Sequence, residues 1–171
     1  MRRSSFREGW EFSRNGGLFE AVRVPHDALL GEHRGPDAPA GSANGYFFGG
    51  VYRYRKAFVL SEAQTAAAAC GALALEFESI YRNARIWVNG SEIADVPPYG
   101  FTPFFVELKG VARVGENLIE VEVDVRAQPD LRWYSGAGLI REVWLWERAG
   151  EAADACANRG EGGEGAEGGE G

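Results

Sequence analysis

The sequence has few of the residues that most often mark redox or metal sites. It contains two cysteines and two histidines in 171 residues, too few for a disulfide-rich scaffold or a cluster of metal ligands. No apolar stretch approaches the roughly 20 residues of a membrane-spanning helix, and no apolar segment follows the two arginines at the start, so no signal peptide is indicated. We expect a cytoplasmic protein with no metal, no other cofactor and no membrane partner.

An excess of positive charge is also missing. The formal net charge is −7, of which residues 149–171 carry −5 and residues 1–148 only −2. A nearly balanced body lacks the positive field that gathers phosphate groups. Nucleic acid is therefore not an expected partner.

The composition changes abruptly after Arg148. Repeats of glycine and glutamate follow, and such a segment cannot bury enough apolar surface to fold. The sequence predicts one folded domain over residues 1–148 and a disordered tail over residues 149–171. A linker, an acidic interaction tail and a shifted reading frame are the alternatives for the tail.

The folded part has the period of β-strands almost throughout. In residues 118–125, apolar side chains alternate with acidic ones, which is typical of an antiparallel sheet with one face in water. Asn89-Gly90 is a strong signal for a two-residue hairpin. About eight or nine strands are predicted and only one short helical turn, in residues 61–69, which favours an all-β antiparallel sandwich or jelly roll.

Short motifs follow one another in a characteristic order. They are residues 6–12 (FREGWEF), 24–27 (VPHD), 45–52 (GYFFGGVY), 54–58 (YRKAF), 75–78 (LEFE), 81–84 (YRNA), 87–90 (WVNG), 98–104 (PYGFTPF), 115–117 (GEN) and 132–141 (RWYSGAGLIR). Taken together, the series resembles the N-terminal domain of family 2 glycoside hydrolases of the bacterial β-galactosidase type.

The resemblance implies a galactose-binding-like jelly roll that binds a β-galactoside or a related carbohydrate. In such enzymes an immunoglobulin-like domain and a (β/α)₈ barrel follow, and the barrel supplies the two catalytic glutamates. Retaining hydrolysis requires two carboxylates about 5 Å apart on a rigid frame. Because this chain stops before either domain, the resemblance implies that it carries no catalytic residue, is inactive alone and has the missing domains as its partners.

The resemblance also implies sugar-binding residues in two segments. The first comprises Asp130, Arg132, Trp133 and Tyr134, where an aromatic ring would stack on a pyranose and polar groups would satisfy its hydroxyls. Packing of Trp133 and Tyr134 into the core is the alternative. Leu131 departs from the family pattern and weakens the expectation for this loop.

The second implied segment is Tyr81, Arg82 and Asn83, just beyond a strand end. Its alternative is a turn that positions the Asn89-Gly90 hairpin. His26 and Asp27 precede the long loop over residues 31–50, and we expect them to tie that loop down rather than to perform catalysis.

Three functions are compatible with these features. The first is a carbohydrate-recognition and docking module that forms one wall of an active site. The second is a free-standing lectin-like module with a complete sugar site, and the third is a non-functional truncated remnant with exposed apolar patches.

Overall fold

The computed structural model describes residues 1–96, 100–128 and 133–148. Its ten strands are β1 (Arg2–Ser5), β2 (Trp10–Arg14), β3 (Glu20–Val22), β4 (Val51–Leu60), β5 (Leu73–Phe77), β6 (Ala84–Val88), β7 (Ser91–Asp95), β8 (Phe104–Glu107), β9 (Gly115–Asp124) and β10 (Val143–Glu147). One α-helix, α1 (Glu62–Ala69), and two short 3-10 helices, Ala28–Gly31 and Gly41–Asn44, complete the described elements.

The strands form two antiparallel sheets. The smaller sheet has the order β1-β10-β5-β8, and the larger has the order β3-β2-β4-β9-β6-β7. The pairing of β4 with β9 is the longest, running from Val51 opposite Asp124 to Leu60 opposite Gly115. The predicted all-β antiparallel sandwich is confirmed, because the described chain is mostly strands in two such sheets.

The core lies between the sheets and follows the two-residue period of the strands. In β9, Ile119, Val121 and Val123 are at most 1% exposed, while the glutamates between them face outward. The smaller sheet contributes side chains that are equally buried, such as Leu75 and Phe77. Apolar burial of this kind is the main favourable term in folding, at roughly 25 cal/mol per Å² removed from water.

Two connections between strands were predicted from the sequence, the Asn89-Gly90 turn and a helical turn in residues 61–69. Asn89 and Gly90 join β6 to β7 with φ of 52° and 81°, which suits the positive φ that a type I′ turn requires at both positions. Helix α1 is longer than the single predicted turn. A capping box explains this, since Gln64 N donates to Ser61 Oγ at 3.2 Å and Ser61 N donates to Gln64 Oε1 at 3.1 Å.

No helix among the described residues is long and apolar enough to cross a membrane.

Candidate functional site

Two segments that are distant in sequence meet at one end of the sandwich. The Tyr81 amide donates to the Gly138 carbonyl at 3.0 Å, and the Gly138 amide donates to the Tyr81 carbonyl at 2.6 Å. This bridge holds the turn after β5 against the segment that precedes β10. As a result, the described residues of both segments implied by the family resemblance lie at the same end of the molecule.

A small cleft lies beside this bridge. Its lining includes Tyr81, Arg82 and Trp133, together with Gln128 and Ser135, and its volume is about 20 Å³. That volume holds about one water molecule, whereas pockets that enclose a ligand measure roughly 300–1,000 Å³. The described part of this end therefore does not enclose a sugar ring.

The three predicted residues in the cleft differ in exposure. Trp133 is 76% exposed, so the alternative that it packs into the core is wrong for this side chain. Tyr81 is buried, and its ring packs against Phe101 with 5.0 Å between centroids. Arg82 is half-buried, and its Nη2 donates to the carbonyl of Ala127 at 2.9 Å. Most of the Trp133 side chain is therefore accessible at the edge of the cleft.

The remaining predicted residues lie elsewhere. Asn83 is outside the cleft lining, and its Nδ2 donates to the carbonyl of Asp124 at 3.0 Å, which fastens the turn to the end of β9. Tyr134 is turned toward Asp27 and packs on Phe47 with 5.7 Å between ring centroids. Asp130 and Arg132 lie outside the described residues.

Asp27 holds the Trp133 loop in place. Its Oδ2 accepts a hydrogen bond from the Tyr134 hydroxyl at 2.6 Å, and its Oδ1 accepts from the amides of Ala137 and Leu29 at 3.0 and 3.1 Å. Partial burial, the hydrogen bond to Asp27 and the negative charge of Asp27 together raise the pKa of Tyr134. Gly136 makes this contact feasible, because a Cβ at that position would lie 2.9 Å from Asp27 Oδ2.

A second polar contact lies beneath the loop. His26 Nδ1 is 2.9 Å from the Tyr54 hydroxyl, and burial lowers the pKa of His26. The Tyr54 hydroxyl in turn occupies the space beside Gly138, where a Cβ would overlap it. The expectation that His26 and Asp27 tie down the 31–50 loop is wrong. The His26 ring contacts the Tyr54 hydroxyl, and the hydrogen bonds of Asp27 come from Leu29, Tyr134 and Ala137.

The chemical groups in the cleft suit binding more than reaction. Its described lining contains no carboxylate. No group of three or more histidine, cysteine, aspartate or glutamate side chains that could hold a metal ion occurs within the described ranges. An aromatic ring, a guanidinium, an amide and a hydroxyl are the groups that this end offers.

Comparison with known proteins gives a consistent set of relatives. The chain is 33% identical over 155 residues to the β-galactosidase BoGH2A of Bacteroides ovatus, a match that covers 84% of this chain and 18% of that enzyme. It is 32% identical to a solved glycosyl hydrolase family 2 member from Bacteroides cellulosilyticus, with a TM-score of 0.70 over 85% of this chain and 20% of the other. No family model matches.

The chain is homologous to the N-terminal domain of glycoside hydrolase family 2. A third relative, a β-glycosidase from Bacteroides vulgatus, agrees with this assignment at 25% identity, with a TM-score of 0.74 over 85% of this chain and 20% of the other. The chain therefore spans about a fifth of the length of these relatives.

Ser79 supports one wall of the cleft. Its buried hydroxyl donates to the carbonyl of Gly100. Gly100 in turn lies against Tyr81, since a Cβ there would come within 2.7 Å of the Tyr81 ring.

The sequence did not indicate two further residues at this end of the family 2 domain. Gln128 and Asn44 line the cleft, and neither belongs to a hydrophobic period or a turn signal. With its amide oriented to satisfy both of its polar atoms, Gln128 donates to the Phe47 carbonyl and accepts from Gly49 N at 3.1 Å. For Asn44 the sequence signal was its position directly before the motif of residues 45–52.

Proposed function

We propose that residues 1–148 form one wall of the sugar-binding site of a β-galactosidase-like family 2 enzyme and dock to the rest of that enzyme. Residues 149–171 would lie outside this domain as a tail. The observation that carries the proposal is the 76% exposure of Trp133 beside a cleft of only about 20 Å³. An exposed ring beside so small a cleft would form only part of a sugar site. A surface from the rest of the enzyme would complete it.

The chemistry of the wall suits a neutral sugar. The face of the Trp133 ring would cover the apolar C–H face of a pyranose, and its unpaired indole N–H would donate to a hydroxyl. Asp130 and Arg132 precede Trp133 in the sequence and would supply further polar contacts. Tyr81 is buried, and the Tyr134 hydroxyl donates to Asp27. Both would therefore hold neighbouring residues in place rather than contact the sugar.

The catalytic step would belong to the rest of the enzyme. Retaining glycoside hydrolysis needs a nucleophilic carboxylate and an acid/base carboxyl group roughly 5–5.5 Å apart, and the described lining of the cleft has neither. The match covers only 18% of the length of the β-galactosidase. The rest of such an enzyme is long enough to contain a barrel that would carry both groups. β-Galactosides are the proposed substrates, because the relative with 33% identity is a β-galactosidase.

A chimeric enzyme tests this proposal. Residues 1–148 would replace the matching N-terminal part of the Bacteroides ovatus β-galactosidase, and kcat/KM would be measured on a nitrophenyl β-galactoside. We expect an active chimera whose kcat/KM falls about tenfold or more with Trp133→Ala, equivalent to about 1.4 kcal/mol of lost transition-state binding. Phe105→Ala, which removes a 54% exposed ring outside the cleft lining, is the matched control and should change little.

Two outcomes would contradict the proposal. One is an active chimera in which Trp133→Ala has no more effect than Phe105→Ala. The other is galactose binding by the 171-residue chain alone that Trp133→Ala abolishes, measured by saturation-transfer NMR, because a self-sufficient site at Trp133 would support the lectin-like alternative.

A further inference from the structure

A trough runs across the outer face of the larger sheet, away from the cleft. Its volume is about 370 Å³, within the range of pockets that hold small ligands. The trough contains Phe19 and Trp87 together with charged side chains of β4, β6 and β9, which are Arg53, Arg85, Glu120 and Glu122. These residues face outward because the alternate positions of the same strands face the core.

Trp87 differs from most other tryptophans of the domain. The indole N–H groups of Trp10, Trp144 and Trp146 donate to Phe6 O, Glu78 Oε1 and Glu76 Oε2 at 2.6–2.9 Å. The indole N–H of Trp87 makes no hydrogen bond within the described part of the chain. Trp87 shares this property with Trp133, and both rings line a concave surface.

The charged side chains of the trough are balanced. Two arginines and two glutamates line it. Arg53 pairs with Glu122 at 2.8 Å, and Arg85 binds Glu92 through two hydrogen bonds of 2.7 and 2.8 Å. Both guanidinium groups are engaged by carboxylates, which disfavours an anionic ligand, and that of Arg85 also covers one face of the Trp87 ring, 4.9 Å from its centroid.

Glu120 is the exception in this pattern. It lies opposite Arg55 on β4 and Trp87 on β6, but Arg55 is engaged by Glu11 at 2.6 Å. Glu120 makes no ion pair or hydrogen bond with any residue that the structure describes. The trough therefore offers a free acceptor beside a free donor, the Trp87 indole N–H, and a partly exposed aromatic ring.

From this arrangement we propose that the trough is a second carbohydrate-binding site, which takes a neutral oligosaccharide and is separate from the cleft at Trp133. The face of the Trp87 ring that points away from Arg85 stacks on the C–H face of one sugar ring, and Glu120 accepts a hydrogen bond from a hydroxyl. The site goes beyond the proposed active-site wall and does not depend on it. Its role is to hold a polymeric substrate at a distance from the reacting bond.

The test uses the complete 171-residue chain and two hexasaccharide probes, neutral β-1,4-galactohexaose and anionic hexagalacturonic acid. Indole signals in ¹H–¹⁵N NMR spectra report binding at each tryptophan. We expect galactohexaose to shift the Trp87 signal with a Kd in the millimolar range, about −4 kcal/mol. Hexagalacturonic acid should bind at least several-fold more weakly.

Variants separate this site from the cleft. Because the Trp87 variants lack the indole reporter, binding by every variant is measured by isothermal titration calorimetry. Trp87→Ala should weaken galactohexaose binding about tenfold or more, Trp87→Phe should retain part of it, and Glu120→Gln should weaken it several-fold. Trp133→Ala should leave it unchanged, and the Trp10 indole signal confirms that each variant is folded.

The proposal is overturned if Trp87 does not respond to galactohexaose at about 20 mM, or if Trp87→Ala binds as well as the parent chain. Loss of binding in Trp133→Ala alone would also overturn it, while leaving the proposed active-site wall intact.

Discussion

The space between the sheets and the end of the sandwich that carries Trp133 are held together by different forces. Between the sheets, apolar side chains such as Leu75 and Val121 are almost fully buried in a two-residue period. At the Trp133 end, position depends on individual polar contacts, above all those of Asp27 with Tyr134 and Ala137. Many apolar contacts stabilise the interior, whereas a few hydrogen bonds hold the candidate site in position.

This difference has a consequence for how each region responds to change. Loss of one apolar group leaves the others in place and costs free energy in proportion to the cavity. Loss of one carboxylate releases several partners of the loop at once. The variants below are ordered by the expected loss of stability, and each one compares the two regions.

Leu75→Ala should give the largest loss. Leu75 is fully buried between the sheets, and such a truncation removes roughly 2–5 kcal/mol of unfolding free energy. Urea unfolding followed by tryptophan fluorescence measures it. Val59→Ala, at a position that is 73% exposed, is the control and should stay within about 0.5 kcal/mol. A similar loss of unfolding free energy in both variants would contradict the claim that burial between the sheets stabilises the domain.

Gly138→Ala should cost about 3 kcal/mol at the site end. The backbone there has φ of 100°, and a Cβ would overlap the Tyr54 hydroxyl. Gly110→Ala is a matched control, because its φ of 78° carries similar backbone strain but nothing lies within 4 Å of the added Cβ. A loss for Gly138→Ala no larger than that for Gly110→Ala would show that the close approach of Tyr54 is unimportant.

Asp27→Ala should cost about 2 kcal/mol, since it removes the acceptor of three hydrogen bonds, each worth about 1 kcal/mol or less in a partly exposed site. The loss should be local. Hydrogen exchange at the Ala137 amide should accelerate more than exchange at the Leu75 amide. Tyr134→Phe, which removes only one of the three bonds, is the graded control. Equal acceleration at both amides would mean that Asp27 supports the whole fold rather than the loop.

Sequence periodicity predicted the interior well. The acidic–apolar alternation of residues 118–125 falls largely within β9, and the Asn89-Gly90 hairpin joins β6 to β7. Strands β1 and β8 were harder to predict because they are four residues long and show little alternation of burial. Strand β10 begins only at Val143, since the segment before it forms the bridge to Tyr81.

The candidate site was predictable only in part. Family motifs singled out Tyr81, Arg82 and Trp133, which the structure brings to one cleft. That juxtaposition depends on the backbone bridge between Tyr81 and Gly138, a long-range contact that leaves no period in the sequence. The trough at Trp87 was not predicted either, because it needs the register of β4, β9 and β6 to bring its side chains together.

The smallest effect should be a pH dependence at the site end that the interior lacks. Burial lowers the pKa of His26 below its usual value of 6.5, so the unfolded chain takes up a proton before the folded chain does. Stability should therefore fall as pH drops from about 6.5 toward the lower pKa of the folded state, and be unaffected by this group above that window. His26→Asn should flatten the fall in melting temperature between pH 7 and pH 5, whereas Leu75→Ala should shift the whole curve without changing its slope. An identical slope in His26→Asn would assign the acid sensitivity to carboxylates elsewhere in the domain.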